Sequence, residues 1–238
     1  MLTKKELTRV YNNEYFAEGT STIKIQEHSN EKGRNTGLVS VRIDNCGRYL
    51  TITPNWKGSA TQFLASGYKN VRYRKDFDCT ALLEKDGKNY LFMIELKSGK
   101  GGVFDDAIYK YPGVYFWTKS RLDDFASHHS EQFEEVALII YAPDAPKGET
   151  TGKDNNKKMV DQKRAIIRTP EDLVRQKIEK KYKTNLIDKT LTYIDGSDFG
   201  VDDLPLRDEY KMHHLKAVLW PVAYPNGTLD LDDVISIL

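Results

Sequence analysis

Cysteine is scarce: Cys46 and Cys79 are the only two in 238 residues, far apart and in no metal-ligand spacing. That excludes a disulfide-stapled scaffold and a thiolate zinc centre. The first residues are charged and lack a signal-peptide apolar run, so both thiols are expected to stay reduced. No apolar run approaches the roughly 18 to 20 residues that cross a bilayer. No membrane partner is expected, and the chain reads as cytoplasmic. An excess of one charge is missing too, with 36 Lys and Arg against 35 Asp and Glu. Global electrostatics therefore neither favour nor exclude a polyanion. No internal repeat, recognition helix or zinc module is evident. The pairs His128-His129 and His213-His214 lack an acidic partner at ligand spacing and read as surface or half-buried residues.

What is present suffices for a folded core. Hydrophobic residues make up 39% of the chain and aromatics 11%, and a single domain of this length needs no disulfide or structural metal. Charge is unevenly spread. Residues 145–183 hold twelve Lys and Arg against six Asp and Glu, and residues 184–238 hold four against ten. The basic stretch, with Lys157 and Lys158, is a candidate phosphate-contacting surface, although charge runs are more often solvated faces.

Thr3-Lys4-Lys5-Glu6 has capping-box spacing and predicts a helix over residues 4–16. Alternating apolar residues predict strands at Ile23 and Ile25, at Val39 to Ile43, and at Leu50 and Ile52. Asn45-Cys46-Gly47 is expected to join the last two as a hairpin. A short helix is expected over 59–68, a mixed strand over 70–77, and strands over 79–83, 90–96 and 136–141. Residues 105–125 read as helical, with Pro112 kinking the helix or marking its start. The stretch 142–158 reads as a loop. Thr169-Pro170-Glu171-Asp172 predicts a helix start, with the end near Tyr182. The tail is expected to hold one apolar strand, 215–222, and a turn at Pro225-Asn226-Gly227.

The stretch from Asp76 to Ser98 carries the chemistry. Two apolar runs flank Asp86-Gly87, a favoured type I′ hairpin turn. With those as the two turn residues, Lys85 pairs with Lys88 and Leu83 with Tyr90, and the same register brings Asp78 opposite Glu95. Directly opposed side chains share a face, about 4.5 to 5.5 Å apart at Cβ, and Lys97, two residues on, shares it too. Two carboxylates that close repel unless a cation joins them or one stays protonated. Mg²⁺ suits such a site, with Mn²⁺ able to substitute. It takes one or two carboxylates together with phosphate oxygens, and can polarise a phosphate and lower the pKa of water. Lys97 would hold or help deprotonate the attacking water, and the Leu96 carbonyl is a further candidate ligand. In the same register Asp76 faces Lys97 as a candidate structural partner.

Asp78, then Glu95-Leu96-Lys97, then a helix and the strand 136–141, resemble the PD-(D/E)XK nuclease superfamily. The resemblance implies an α/β, restriction-endonuclease-like fold: a central mixed sheet flanked by helices. It covers residues 59–141 as a nuclease-like core of one domain, with an N-terminal helix and hairpin (1–58) and a C-terminal extension (159–238). It implies Asp78 and Glu95 as metal ligands, Lys97 as the catalytic lysine, and a metal-dependent endonuclease acting on DNA ahead of RNA. Cutting both strands of a duplex would favour a homodimer or larger complex. Two departures stand out. Phe77 replaces the proline that often precedes the aspartate. The helix before the strands offers Gln62 where many members carry glutamate, and Gln62 could orient water without supplying charge. Glu27 or Glu31 are alternatives for that role.

Lys110 is a candidate phosphate contact because family members often place a polar residue on this helix. Lys100, within Ser98-Gly99-Lys100-Gly101-Gly102, is another, in a stretch that reads more readily as a flexible loop. Tyr109, Tyr111, Tyr115, Phe116 and Trp117 could stack on bases, with packing against the sheet the simpler account. Two other readings stay open: a catalytically inactive module of the same fold that binds nucleic acid or a protein, and an unrelated α+β protein whose hairpin acids are structural.

Overall fold

The computed structural model describes residues 3–26, 38, 40–53, 77–123, 133–145, 170–203 and 206–238. In chain order the strands are β1 (Phe16–Thr20), β2 (Ile23–Gln26), β3 (Ser40–Asp44), β4 (Arg48–Ile52), β5 (Cys79–Lys85), β6 (Lys88–Lys97), β7 (Glu134–Tyr141), β8 (Leu191–Asp195), β9 (His214–Pro221) and β10 (Asn226–Asp230). The α-helices are α1 (Lys4–Leu7), α2 (Lys100–Gly102), α3 (Tyr111–Leu122), α4 (Pro170–Asn185) and α5 (Leu231–Ile235). Between α2 and α3 lie a π-helical turn, Val103–Ala107, and a 3₁₀ turn, Ile108–Lys110. Among the described residues no helix is long and apolar enough to cross a membrane.

The Asp86-Gly87 turn forms as its residues dictate. Both have positive φ, 52° and 75°, as a type I′ turn requires. Lys85 pairs with Lys88, Leu83 with Tyr90 and Cys79 with Ile94. This hairpin is the middle of a seven-stranded mixed sheet in the order β1-β4-β5-β6-β7-β9-β8. β6, β7 and β9 run parallel, and their carboxyl ends come level at Lys97, Tyr141 and Pro221.

The alternation of β6 decides what covers each face. Met93 points into an apolar layer with Ile139 of β7, with Val103, Ala107 and Tyr111 from the helical segments, and with Ile178 and Tyr182 from α4. Phe92, Ile94 and Leu96 point the other way, against Val41 and Ile43 of a three-stranded sheet (β10-β3-β2) and Leu231 and Val234 of α5. The protein is thus a mixed α/β structure whose large sheet is flanked by helices, with a small second sheet sharing one face. Each of these apolar side chains contributes roughly 1.5–3 kcal/mol on full burial, which holds β6 in this orientation.

Several elements differ from the sequence pattern. The capping box forms, with the Thr3 amide donating to Glu6 Oε2 at 2.8 Å, but α1 ends at Leu7. Asn12 caps a 3₁₀ turn, Asn13–Tyr15, and Phe16 opens β1. The Asn12-Asn13 side chains compete with helical backbone bonding, and burying Phe16 in the sheet outweighs the helical spacing. β3 and β4 do not form a hairpin. They belong to different sheets, and Asn45 and Gly47, at φ 60° and 67°, carry the chain from one to the other. Lys100–Gly102 is helical rather than a loose loop. α3 starts at Tyr111 with Pro112 in its first turn, where a missing N–H is harmless. α4 runs on to Asn185. The tail contributes β8, β10 and α5 besides β9; Asn226-Gly227 opens β10, parallel to β3, instead of making a turn. The expected helix over 59–68 and all but Phe77 of the strand over 70–77 lie outside the described residues.

A Cβ on Gly47 would sit 2.6 Å from the Glu84 carbonyl oxygen, in a backbone region that L side chains rarely adopt. Gly47→Ala is therefore expected to cost about 1–3 kcal/mol in urea unfolding, whereas Gly87→Ala meets no neighbouring atom and should carry only the strain of its positive φ.

Candidate active site

Carrying the β5–β6 register one step past Cys79 and Ile94 sets Asp78 opposite Glu95. The Leu96 amide donates to Asp78 Oδ2 at 2.7 Å, which ties the residue preceding β5 to the carboxyl end of β6. Glu95 lies on the Met93 face, under the helical segments, and is 1% exposed. Isolated burial of a carboxylate costs several kcal/mol, so its partners matter. The Lys97 ammonium donates to Glu95 Oε1 at 2.6 Å, and the Lys110 ammonium donates to the same oxygen. Glu95 Oε2 is fully buried and has no hydrogen-bond partner among the described residues; the Tyr111 hydroxyl is in the same condition.

Local structure explains how Lys110 and Tyr111 arrive there. A Cβ on Gly102 would lie 3.2 Å from Lys97 Cδ, so glycine lets the start of the helical run close over the Lys97 stem. The π turn and the 3₁₀ turn then change the helical phase in opposite senses, and Lys110 and Tyr111 face the sheet. The Tyr111 ring packs on Phe77, with centroids 4.6 Å apart, beside Asp78.

The electrostatics follow from enclosure. Burial, then the charge of Glu95, push the Asp78 carboxyl up to about 7, against the opposing pull of the Leu96 amide, Lys110 and Lys97. Burial and the Glu95 charge also push the Tyr111 phenol well above its ordinary value. Both groups therefore resist a further negative charge, while Glu95 Oε2 remains an unused acceptor.

The other sequence candidates are distributed as follows. Lys110 is buried, with its ammonium on Glu95 Oε1, because the phase change turns it inward. Lys100 is exposed and pairs with Asp188 at 3.1 Å; the Tyr141 hydroxyl donates to the same carboxylate at 2.8 Å. Lys100 thus stands at the end of the sheet where Lys97 and Tyr141 come level. Gln62, Lys157, Lys158, Glu27, Glu31, Asp76 and the pair His128-His129 lie outside the described residues. The part of the basic stretch in α4 is largely matched by acids: Lys177 and Lys181 meet Asp198, and Lys183 meets Glu179. Tyr109, Tyr111, Tyr115 and Trp117 are buried, so they pack rather than present faces to bases. His213 lies beside Asp202 and Asp208 at the surface. Cys46 and Cys79 are free and buried.

A divalent cation fits these residues. Among the described residues no three or more His, Cys, Asp or Glu side chains are grouped so as to hold a metal ion by themselves. Mg²⁺ asks for less: one or two carboxylates, a carbonyl and water. The unpartnered Glu95 Oε2 and the raised Asp78 carboxyl both register a demand for positive charge, and Leu96, between Glu95 and Lys97, lends a backbone carbonyl at the same place in sequence. Comparisons with family models, curated proteins and solved structures returned no match.

Because folding raises the Asp78 pKa above its unfolded value, Asp78 adds stability below about pH 4. That contribution is lost as pH rises through about 7. Asp78→Asn cannot ionise and keeps an acceptor for the Leu96 amide. In chelator it should match wild type near pH 4 and exceed it above pH 7, by on the order of a few kcal/mol, in denaturant melts across that range. Equal stabilities at every pH would contradict the enclosed-carboxyl account.

Proposed function

We propose that this protein is a metal-dependent nuclease of the PD-(D/E)XK type, an endonuclease hydrolysing phosphodiester bonds with DNA ahead of RNA as substrate. The observation that carries the reading is the meeting of Asp78, Glu95 and Lys97 at the carboxyl end of β6, with one Glu95 oxygen left unpartnered. Ligand sites in α/β sheets gather outside the carboxyl ends of parallel strands, and Lys97 closes one such strand. The antiparallel β5–β6 pair followed by a helical segment and parallel β7 supports the restriction-endonuclease-like arrangement.

In this reading Asp78 and Glu95, with the Leu96 carbonyl, hold Mg²⁺, and Mn²⁺ can substitute. When bound, the cation supplies Lewis-acid stabilisation of phosphate charge and a more acidic water. Lys97, 17% exposed at its side chain, turns from Glu95 toward the phosphate, where its charge offsets the charge that develops on the equatorial oxygens. Lys100, on the exposed side of the same strand end, meets the neighbouring phosphate. Gln62 remains the candidate for orienting water, and Lys157 and Lys158 for more distant backbone contacts. A homodimer would allow both strands of a duplex to be cut.

A second reading has one observation in its favour. Two lysines already neutralise Glu95, as they would in a catalytically silent module of this fold that binds nucleic acid or a protein.

Cleavage of plasmid and single-stranded DNA separates the two. With Mg²⁺ or Mn²⁺ the wild type should cut, EDTA should stop it, and Lys97→Ala should lose about 10²-fold or more of the rate. Undiminished cutting by Lys97→Ala would assign the activity elsewhere, and inert wild type in every metal would favour the silent module.

A further inference from the structure

The two lysines on Glu95 are not equivalent. Lys97 ends β6 with its side chain 17% exposed, whereas Lys110 comes from the 3₁₀ turn above the sheet and is 10% exposed. Lysine is almost never so enclosed unless paired, and Glu95, itself 1% exposed, is a partner. Both ammonium groups take Oε1 and neither takes Oε2. The carboxylate is thereby oriented, with one oxygen fixed by protein cations and the other buried without a hydrogen-bond partner among the described residues.

We propose that Lys110 is a positioning residue that pins Glu95 by Oε1, sets how tightly the Asp78–Glu95 pair takes a divalent cation, and frees Lys97 for substrate. The proposal rests on the nuclease reading for the use to which the cation is put. The physical argument is a competition. A unit positive charge in contact with Glu95 opposes any second cation on that carboxylate, and the opposition is strong in an enclosed site. Taking the charge away leaves a better cation site. It also leaves Lys97 as the only ammonium on Oε1, so Lys97 is held back from the phosphate. Metal affinity and cleavage then move in opposite directions, whereas structural damage would lower both. The site would thus trade cation affinity for a lysine able to leave, so that it is completed when metal and a phosphodiester arrive together.

The test is Mn²⁺ titration of the full chain without nucleic acid, followed by calorimetry and by the electron paramagnetic resonance signal of free Mn²⁺. The proteins compared are wild type, Lys110→Met, Lys110→Gln, Lys110→Arg and Glu95→Gln. Lys110→Gln keeps a polar donor, one bond shorter, without the charge, and guards against a fold that Met cannot support. Binding should tighten on the order of tenfold in the Met and Gln variants, stay near wild type in Lys110→Arg, and vanish in Glu95→Gln. Cleavage at saturating Mn²⁺ should fall in the Met and Gln variants. Unchanged or weaker binding in both, with Glu95→Gln still abolishing it, would overturn the role of Lys110 and leave the nuclease reading in place. No saturable binding by any of the five proteins would overturn both.

Discussion

The register of the β5–β6 hairpin is the constraint on which the rest of the structure depends. Side chains alternate along a strand, so a slip of one residue would exchange the faces of β6. Glu95 and Lys97 would turn into the layer now formed by Phe92, Ile94, Leu96 and the small sheet. Phe92, Ile94 and Leu96 would turn toward Lys110. Two independent devices prevent the slip. The Asp86-Gly87 turn adopts positive φ at both residues, and the apolar contents of the two flanking layers are complementary only to this alternation. The placement of the candidate active site is a consequence of these two.

Given that register, burying Glu95 makes an electrostatic demand that the surroundings meet asymmetrically. Lys97 and Lys110 converge on Oε1, while Oε2 and the Tyr111 hydroxyl have no partner among the described residues. Asp78, opposite, is pushed toward its neutral form by enclosure and by the Glu95 charge. A core that needed only a structural ion pair would be expected to satisfy both carboxylate oxygens, since each unsatisfied polar atom costs on the order of 1–3 kcal/mol. Unsatisfied polar atoms and a strongly perturbed carboxyl in one place are features that accompany functional sites, and they stand here at the carboxyl end of a parallel strand.

The hairpin and the meeting of Asp78, Glu95 and Lys97 are legible in the sequence because they depend on local rules: a two-residue turn, period-two alternation and side chains counted outward from the turn. The expected pairing of Lys85 with Lys88 runs unbroken to Cys79 and Ile94. Long-range pairing was less legible. Asn45-Cys46-Gly47 looks like a hairpin turn, but β3 pairs with β2 on one side and on the other with β10, nearly two hundred residues away, and turn chemistry says nothing about so distant a strand. Apolar residues keep helical spacing past Asn12-Asn13, yet the helix ends at Leu7 and Asn12 caps a 3₁₀ turn. Lys110 and Tyr111 were visible as residues but not as neighbours of Glu95. Their direction depends on a π turn and a 3₁₀ turn in succession, and helical periodicity carries no phase information across such a change.

The proposed nuclease reading requires that Asp78 and Glu95 together form a cation site. Anomalous diffraction at the manganese edge from crystals soaked in Mn²⁺ tests it most directly. One strong peak is expected within ligand distance of the Asp78 carboxylate and of Glu95 Oε2, with Lys110 still on Oε1. A protein that takes up Mn²⁺ only at surface acids, with Lys97 and Lys110 both unmoved on Glu95, would contradict it.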